Sequence, residues 1–307
     1  MGGPLEGTVA LVTGASKNIG KGMALEVGGC GATTYLTART LEDRPGALGS
    51  LRRTAEEIEA AGGEAIPLQC DHADDASVER VFAEIARAHG KLDLLVNVAS
   101  PDFSAMVGKP FWELPFEEIS RCLDIGPRSN YVTTVLASRM MIPQGNGVII
   151  NVSSHGSGDY LLSVPYGAGK AAIDKITRDT ALELRAHNVA VVSLWPGLVL
   201  TEGLLSRAVT HPDGHRELDG LDISFGESPR FNGKAVVALA TDPGILERSG
   251  GCFRSSTLAR EYGFTEDDGS LPPEITSLGV HLGDEEIPDF WKGVERFPHQ
   301  PPELQES

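Results

Sequence analysis

Tyr166 and Lys170 stand four positions apart in the sequence and form a pair that could exchange a proton with a substrate. Residues i and i+4 share one face of a helix, so the phenol and the ammonium can point into the same space. A nearby lysine cation favours the phenolate, and we therefore expect it to lower the pKa of Tyr166 from the ordinary value of about 10 toward neutral pH. A tyrosine tuned in this way can act as a general acid or base at a substrate oxygen.

Ser154 is the next candidate, because it follows the apolar run Val148 to Val152 and comes shortly before Tyr166. A hydroxyl group at that place can donate to a substrate oxygen and stabilise the negative charge that develops there. The neighbouring Ser153 is the alternative. We predict that Ser154, Tyr166 and Lys170 are the catalytic residues.

The segment Thr13 to Gly20 joins an apolar run to a helical pattern and has the residue types of a phosphate-binding turn. Gly14 can take a positive φ, and Asn18, which stands where a middle glycine is common, tolerates left-handed geometry. The start of the following helix would supply free N–H groups and the positive end of a dipole. We predict that a dinucleotide is bound there by Gly14, Ser16, Lys17, Asn18, Ile19 and Gly20.

The end of the second apolar run predicts which dinucleotide is bound. An acidic residue there would bind the ribose hydroxyls of NAD and repel a 2′-phosphate, but this sequence has Ala38 and Arg39. Arg39 offers a planar fork of donors that suits phosphate, and Lys17 adds a second cation. The sequence therefore predicts NADP(H) as the cofactor.

Polar and small residues also follow the later apolar runs. Asp71 could accept a hydrogen bond from the adenine amino group, and Asn97 begins a turn that would lie under the adenosine ribose. Thr201 could reach the nicotinamide carboxamide or a phosphate. All of these follow strands, where such sheets bind ligands, and we assign cofactor binding to Asp71, Asn97, Val98, Ala99, Pro196, Gly197, Val199 and Thr201.

The elements that must position these residues alternate between strand and helix patterns. Ile19, Met23 and Val27, for example, follow the first run at helical spacing. The runs are almost continuously apolar, as expected for parallel strands covered on both faces. This alternation predicts an α/β fold with a Rossmann-type, doubly wound parallel sheet, whose strands are Val9 to Thr13, Thr33 to Thr37, Ala65 to Cys70, Leu92 to Asn97, Val148 to Val152 and Val189 to Leu194.

The composition excludes several classes of protein. The 307 residues are 41% hydrophobic and carry a formal net charge of −17, which excludes a disordered chain and argues against a nucleic-acid partner. No apolar run is long enough to cross a membrane, so we expect no membrane partner. No metal site is predicted, because the four cysteines lie far apart, at Cys30, Cys70, Cys122 and Cys252.

The last part of the chain is acidic and rich in proline. We predict a single domain over residues 1–265 and an irregular acidic extension over residues 266–307. The loops 101–114 and 202–231 are the predicted walls of the substrate pocket, and they are expected to be irregular, with Phe103, Met106, Phe111 and Trp112 among the apolar candidates. The N-terminus lacks the basic and apolar parts of a signal peptide, so a cytoplasmic location is expected.

Together these motifs resemble the short-chain dehydrogenase/reductase superfamily over about residues 6–265. The resemblance implies a single NADP-binding domain, a Ser/Tyr/Lys mechanism, a homodimer or homotetramer, and a part for Tyr166 and Lys170 in cofactor binding. The commonest spacing in the superfamily would favour Ser153, whereas the branch that this sequence resembles more closely favours Ser154. That branch suggests NADPH-dependent hydride transfer between a small carbonyl compound and its alcohol. A non-catalytic NADP(H)-binding redox sensor, or a reductase of a C=N or C=C bond, is the alternative.

Gly126 departs from the superfamily pattern, which usually has an asparagine there, at a helix kink whose carbonyl holds a water beside the lysine. Pro127 follows, and a proline inside a helix removes a hydrogen bond and kinks the chain. We therefore expect Gly126-Pro127 to keep the kink, the carbonyl and a water relay to Lys170.

Overall fold

Seven parallel strands form the central sheet in the computed structural model, which describes residues 2–103, 105–106, 109–218 and 220–275. The strands within these residues are β1 (Val9–Thr13), β2 (Thr33–Ala38), β3 (Glu64–Gln69), β4 (Leu94–Asn97), β5 (Gly147–Val152), β6 (Val189–Trp195), β7 (Val209–Thr210), β8 (Arg216–Leu218), β9 (Leu221–Asp222) and β10 (Cys252–Arg254). The order in the sheet is β3-β2-β1-β4-β5-β6-β10. The predicted doubly wound parallel sheet is confirmed, and the six predicted strands match β1 to β6 within two residues at each end.

Helices connect the strands, and five of those described begin after a polar side chain that accepts from one of their first N–H groups. They are α1 (Asn18–Gly29), α2 (Leu51–Ala60), α3 (Asp75–His89), α4 (Phe116–Leu123), α5 (Ser129–Gln144), α6 (Val164–Leu184), α7 (Glu202–Leu205), α8 (Pro229–Thr241) and α9 (Ser255–Tyr262). Ser163 accepts from Tyr166 N and so sets the first turn of α6, the helix that carries the tyrosine and the lysine. Such N-terminal caps satisfy donors that have no partner inside the helix.

The sheet is buried on both faces, which explains why its strands are almost continuously apolar. In β1, Ala10 and Val12 face one core, formed with α1, α2 and α8. Val9 and Leu11 face the other core, formed with α3, α5 and α6. Alternate residues of one strand therefore serve two separate cores.

The strand order reverses at β1, which has β2 on one side and β4 on the other. A crevice is expected outside the carboxyl ends of strands at such a point, and the predicted site residues follow β1 to β6 at that edge. A cleft of about 460 Å³ lies at the opposite edge, where its lining includes Thr8, Leu94 and Gly147 at the amino ends of strands. It contains none of the predicted site residues, so we do not assign the substrate to it.

The segment after β6 differs from the irregular loop expected over residues 202–231. It contains α7 and a small antiparallel sheet of β7, β8 and β9. The sequence hides these strands because each spans only two or three residues, too few to show alternation.

The start of the predicted C-terminal extension is bound to the domain. Both carboxylate oxygens of Glu266 accept from Ser228 at 2.6 Å, and Asp267 pairs with Lys234. The rest of the extension, residues 276–307, lies outside the described residues, and the boundary at residue 265 stays a prediction. Among the residues that the structure describes, no helix combines the length and apolar character that crossing a membrane would require.

Candidate active site

Tyr166 and Ser154 meet at the carboxyl end of β5. The phenol oxygen of Tyr166 donates to Ser154 Oγ at 2.8 Å, and Ser154 Oγ also accepts from Gly156 N at 3.0 Å. Lys170, one turn further along α6, donates to the carbonyl of Val152 at 3.0 Å, and its Nζ lies 5.6 Å from the centre of the tyrosine ring. The three side chains predicted for catalysis therefore lie together.

The geometry separates the two candidate serines. Ser153 Oγ donates to the backbone carbonyl of Lys170, away from the phenol, whereas Ser154 Oγ contacts the phenol oxygen directly. Gly156 makes this approach possible, because a Cβ there would lie 2.6 Å from the tyrosine ring. Ser154 is the serine that can share a substrate oxygen with Tyr166.

The pKa expected for Tyr166 from the sequence is wrong in direction. Burial raises the pKa of Tyr166 to about 12, although the hydrogen bond with Ser154 opposes the rise. Burial also lowers the pKa of Lys170 to about 8, although the Asp174 carboxylate opposes that change. The sequence shows that a lysine is near, but it does not show that folding removes water from both groups. Loss of water disfavours the charged phenolate of Tyr166 and the charged ammonium of Lys170. At neutral pH the tyrosine therefore holds its proton.

The helix that passes Lys170 is interrupted at Gly126 and Pro127, where the sequence predicts a kink. One π-helical turn, Asp124–Arg128, separates α4 from α5, and such turns are frequent at functional sites. The Gly126 carbonyl accepts from Ser129 Oγ at 3.3 Å. A cavity of about 10 Å³ lies between this turn and Lys170, close to the roughly 10–15 Å³ that a water needs. The water relay stays a prediction.

Gly14 and Gly20 form a tight turn after β1. Gly14 has φ 69°, and a Cβ there would lie 3.0 Å from Ala99 Cα. A Cβ on Gly20 would lie 2.3 Å from the carbonyl oxygen of Gly14. Ser16 is buried in the turn, and Ile19 packs on the core at the start of α1. This cradle lets a ligand approach the backbone closely at the start of α1, where the helix dipole attracts phosphate, and so fits a dinucleotide.

Asn18 takes the left-handed geometry expected of it, with φ 54°. Its backbone N–H donates to the carboxylate of Glu202 at 2.8 Å. Glu202 is the first residue of α7, which Thr201 caps by accepting from Leu204 N. The segment after β6 is thus bound directly to the glycine-rich turn, a contact that the sequence does not reveal.

Lys17 and Arg39 are both exposed near the turn. The loop after β2 returns to the turn at Gly49, where a Cβ would lie 2.3 Å from the Ser16 carbonyl and 3.5 Å from Lys17 Cβ. Neighbouring cations are paired, as Lys21 is with Glu57 at 2.8 Å. Within the described residues, neither the Lys17 nor the Arg39 side chain has an ionic or hydrogen-bond partner.

Asn97 lies at the predicted place, and its side chain is held by other side chains of the domain. It is buried, accepts from Thr133 Oγ1 at 2.7 Å and donates to Asn151 Oδ1 at 2.9 Å. The following residues, Val98 and Ala99, donate their N–H groups to Thr13 Oγ1 at 2.9 and 3.0 Å. The Asn97 side chain therefore positions the β4 turn, and the part of Asn97 in cofactor binding stays a prediction.

Asp71 lies after β3, where the sequence places it, and its side chain is exposed. One carboxylate oxygen accepts from Ala73 N at 3.0 Å and so holds the turn into α3. The side chain remains accessible to a ligand at that edge of the sheet.

Glu227 is a residue of this site that sequence reasoning missed. It is 2% exposed and lies under the predicted nicotinamide segment, where its carboxylate accepts from Gly197 N at 2.7 Å. Both of its oxygens accept from Ser255 Oγ, and its backbone pairs with Val199. The buried Glu227 therefore holds the segment after β6 that contains the predicted residues Pro196, Gly197, Val199 and Thr201. Burial raises the pKa of Glu227 to about 7, against its hydrogen bonds.

The apolar residues expected around the substrate separate into two groups. Phe103 packs edge-on against Tyr166 with ring centres 4.8 Å apart, and Met106 is fully buried. Phe111 and Trp112 are 54% and 59% exposed. Phe103 is therefore in direct ring contact with the candidate catalytic tyrosine.

Comparisons with known proteins agree with this arrangement. The sequence profile of a family described as short chain dehydrogenase matches residues 8–209. A Mus musculus protein named dehydrogenase/reductase SDR family member 1 is 42% identical, over 91% of this chain and 89% of its own. Among solved structures, a metagenomic short-chain oxidoreductase in complex with NADP is 30% identical and has a TM-score of 0.63, with 78% of this chain and 92% of that one covered. A short-chain type dehydrogenase/reductase from Mycobacterium marinum is 26% identical and has a TM-score of 0.65, with 81% and 94% covered.

Proposed function

The chain belongs to the short-chain dehydrogenase family, and on that premise we propose that it is an NADPH-dependent oxidoreductase that interconverts a carbonyl compound and its alcohol. The observation that carries the proposal is the 2.8 Å hydrogen bond between the phenol of Tyr166 and Ser154 Oγ, with Lys170 on the same helix. This arrangement places two hydroxyl groups and a cation where they could act on the carbonyl oxygen of a bound substrate.

The proposed chemistry divides between the cofactor and the side chains. When bound, NADPH supplies the hydride that reduces a carbonyl carbon. Tyr166 donates its phenol proton to the carbonyl oxygen, and Ser154 donates a hydrogen bond to that same oxygen. The Lys170 ammonium stabilises the phenolate that remains after the proton has left.

The direction of the pKa shift favours reduction. With a pKa of about 12, Tyr166 is protonated at neutral pH. A protonated phenol can give a proton to a carbonyl oxygen, whereas alcohol oxidation would require the phenolate. We therefore propose carbonyl reduction as the favoured reaction.

Charge supports NADPH over NADH. Ala38 ends β2 where an acidic residue would repel a 2′-phosphate, and Arg39 and Lys17 are exposed cations free of ion pairs with other described residues. The relative solved in complex with NADP supports the same choice. Gly14 and Gly20 supply the close backbone approach that the pyrophosphate requires.

The test is a screen of aldehydes and ketones with NADPH, followed by identification of the products. We expect NADPH oxidation with an alcohol as product, lost in Tyr166→Phe and kept in Tyr131→Phe, whose phenol is exposed on α5. Binding of NADPH without turnover across the panel would support the redox sensor instead. A product reduced at a C=N or C=C bond would show that the same fold acts on a different class of substrate.

We also propose a homodimer or homotetramer in the cytoplasm, as the family resemblance suggests. Light scattering of the purified protein would measure the assembly, and a monomeric mass at assay concentration would contradict it.

A further inference from the structure

Three side chains with metal-binding atoms share one face of the hairpin formed by β7 and β8. His211 N donates to the carbonyl of His215 at 2.8 Å, so the two histidines face each other across the turn. Side chains opposite each other on antiparallel strands lie on one face, and so do residues two positions apart. Glu217 is two positions after His215 and therefore joins the two histidines on that face.

The distances within this cluster suit a shared ligand. The two imidazole rings are stacked, with centres 4.4 Å apart and planes at 15°. His211 Nε2 lies 3.5 Å from Glu217 Oε2, and one ligating atom from each of the three residues lies within 4.8 Å of the others. Within the described part of the chain, His211 Nε2 is shielded from water yet makes no hydrogen bond. The side chains of His211, His215 and Glu217 are 37%, 38% and 40% exposed, so a ligand can reach them and supply the partner that this nitrogen lacks.

We propose that His211, His215 and Glu217 bind a divalent transition-metal cation of the zinc class. Zinc takes imidazole nitrogen and carboxylate oxygen at about 2.0–2.2 Å in a tetrahedron, which puts two ligand atoms about 3.4 Å apart. The 3.5 Å between His211 Nε2 and Glu217 Oε2 already matches that separation. In the proposed site the His215 ring turns out of its stacked position to bind the metal, and water completes the coordination.

Asp213 supports the assignment of the ligating nitrogen in His215. Its Oδ1 lies 3.9 Å from His215 Nδ1 and accepts from His215 N at 3.1 Å. A carboxylate beside one ring nitrogen orients a metal-ligating histidine and leaves the other nitrogen for the metal. At 3.9 Å the carboxylate makes no hydrogen bond to Nδ1, but it lies on that side of the ring, and in the proposed site we therefore assign Nε2 of His215 to the metal. The sequence analysis predicted no metal site because the four cysteines lie far apart. This site contains no cysteine, and it forms only when the hairpin turn brings its residues together.

The bound cation would join the two sides of the turn between Thr210 and Arg216. This hairpin follows α7, whose Glu202 contacts Asn18 at the glycine-rich turn. The proposed metal site therefore has a structural role, since it stabilises the segment that contacts the glycine-rich turn. Metal binding does not take part in turnover.

The test is titration of the untagged full chain with ZnCl₂, measured by calorimetry and by the shift in melting temperature. We expect one zinc per chain, with His211→Ala and His215→Ala each weakening binding at least tenfold. His187→Ala, which removes an exposed histidine elsewhere, is the matched control and should bind as the unmodified chain does. Co²⁺ substitution should give a spectrum with nitrogen and oxygen ligands and without a thiolate charge-transfer band.

Zinc binding that is unchanged in both variants would overturn the proposal, as would a thiolate band in the cobalt spectrum. Absence of zinc binding at micromolar concentration would also overturn it, leaving His211 and Glu217 as a simple ion pair. Because calorimetry reports binding and not turnover, each result stands whether or not a substrate has been found.

Discussion

The carboxylate of Glu202 accepts a hydrogen bond at 2.8 Å from the backbone N–H of Asn18, a residue 184 positions earlier in the chain. The contact lies at the start of α1, where N–H groups and the helix dipole attract anions. Glu202 therefore brings a negative charge to the place proposed for the cofactor pyrophosphate.

Replacing Glu202 by glutamine should strengthen NADPH binding. The variant removes a half-exposed charge that repels pyrophosphate, an effect of about 1 kcal/mol, or roughly fivefold in the dissociation constant. Fluorescence titration with NADPH measures it, with Glu247→Gln at a distant exposed site as control. Weaker binding by Glu202→Gln would mean instead that the carboxylate holds the covering segment in its bound position.

Arg39→Ala should reduce the preference for NADPH. Loss of one charge-assisted contact to phosphate costs about 1.5–3 kcal/mol, or roughly tenfold to a hundredfold in affinity. The Michaelis constant for NADPH should rise by that factor while the constant for NADH stays within about twofold. Arg44→Ala, in the same exposed loop, is the control. Equal use of NADPH and NADH by the unmodified protein would defeat this account of specificity.

Much of this fold could be predicted because its signals are local. The apolar runs of β1 to β6 and the glycine-rich turn after β1 each depend on a few neighbouring residues. Glu202 and Glu227 could not be predicted, since an acidic side chain in a loop is ordinary until folding brings it to Asn18 or Gly197. The predicted direction of the Tyr166 pKa shift was wrong for the same reason, because burial depends on the whole fold and not on neighbouring residues.

Carbonyl reduction should decline at alkaline pH through Lys170. Its pKa is lowered to about 8, so above that pH the ammonium is lost. Tyr166, with a pKa of about 12, still holds its proton there and cannot cause the decline. The turnover rate at saturating NADPH should fall about tenfold per pH unit above 8. A rate that stays level to about pH 10 would contradict this role of Lys170.

Glu227 should make stability depend on pH in a recognisable direction. Its pKa is about 7 in the folded protein against 4.5 in a model peptide, so the folded state binds the proton more tightly. Its contribution to stability is complete below pH 4.5 and is lost as the pH rises through 7, by up to about 3 kcal/mol.

The measurement for Glu227 is urea unfolding between about pH 4.5 and 7.5. The free energy of unfolding of the unmodified protein should fall relative to that of Glu227→Gln over this range. Glu247→Gln, which changes an exposed carboxylate, should follow the unmodified protein. Parallel curves for Glu227→Gln and the unmodified protein would show that folding leaves the pKa of Glu227 unchanged and would contradict this prediction.

The central claim is that the Tyr166 phenol protonates the substrate, and its most direct test compares Tyr166→Phe with the unmodified enzyme on a carbonyl substrate found in the screen. Only the hydroxyl is lost, so NADPH should bind within about twofold while the turnover rate falls at least a hundredfold, as expected for removal of a general acid. Tyr131→Phe should retain full turnover. If Tyr166→Phe kept turnover within tenfold of the unmodified enzyme, the proton would have to come from another group and the proposed mechanism would be wrong.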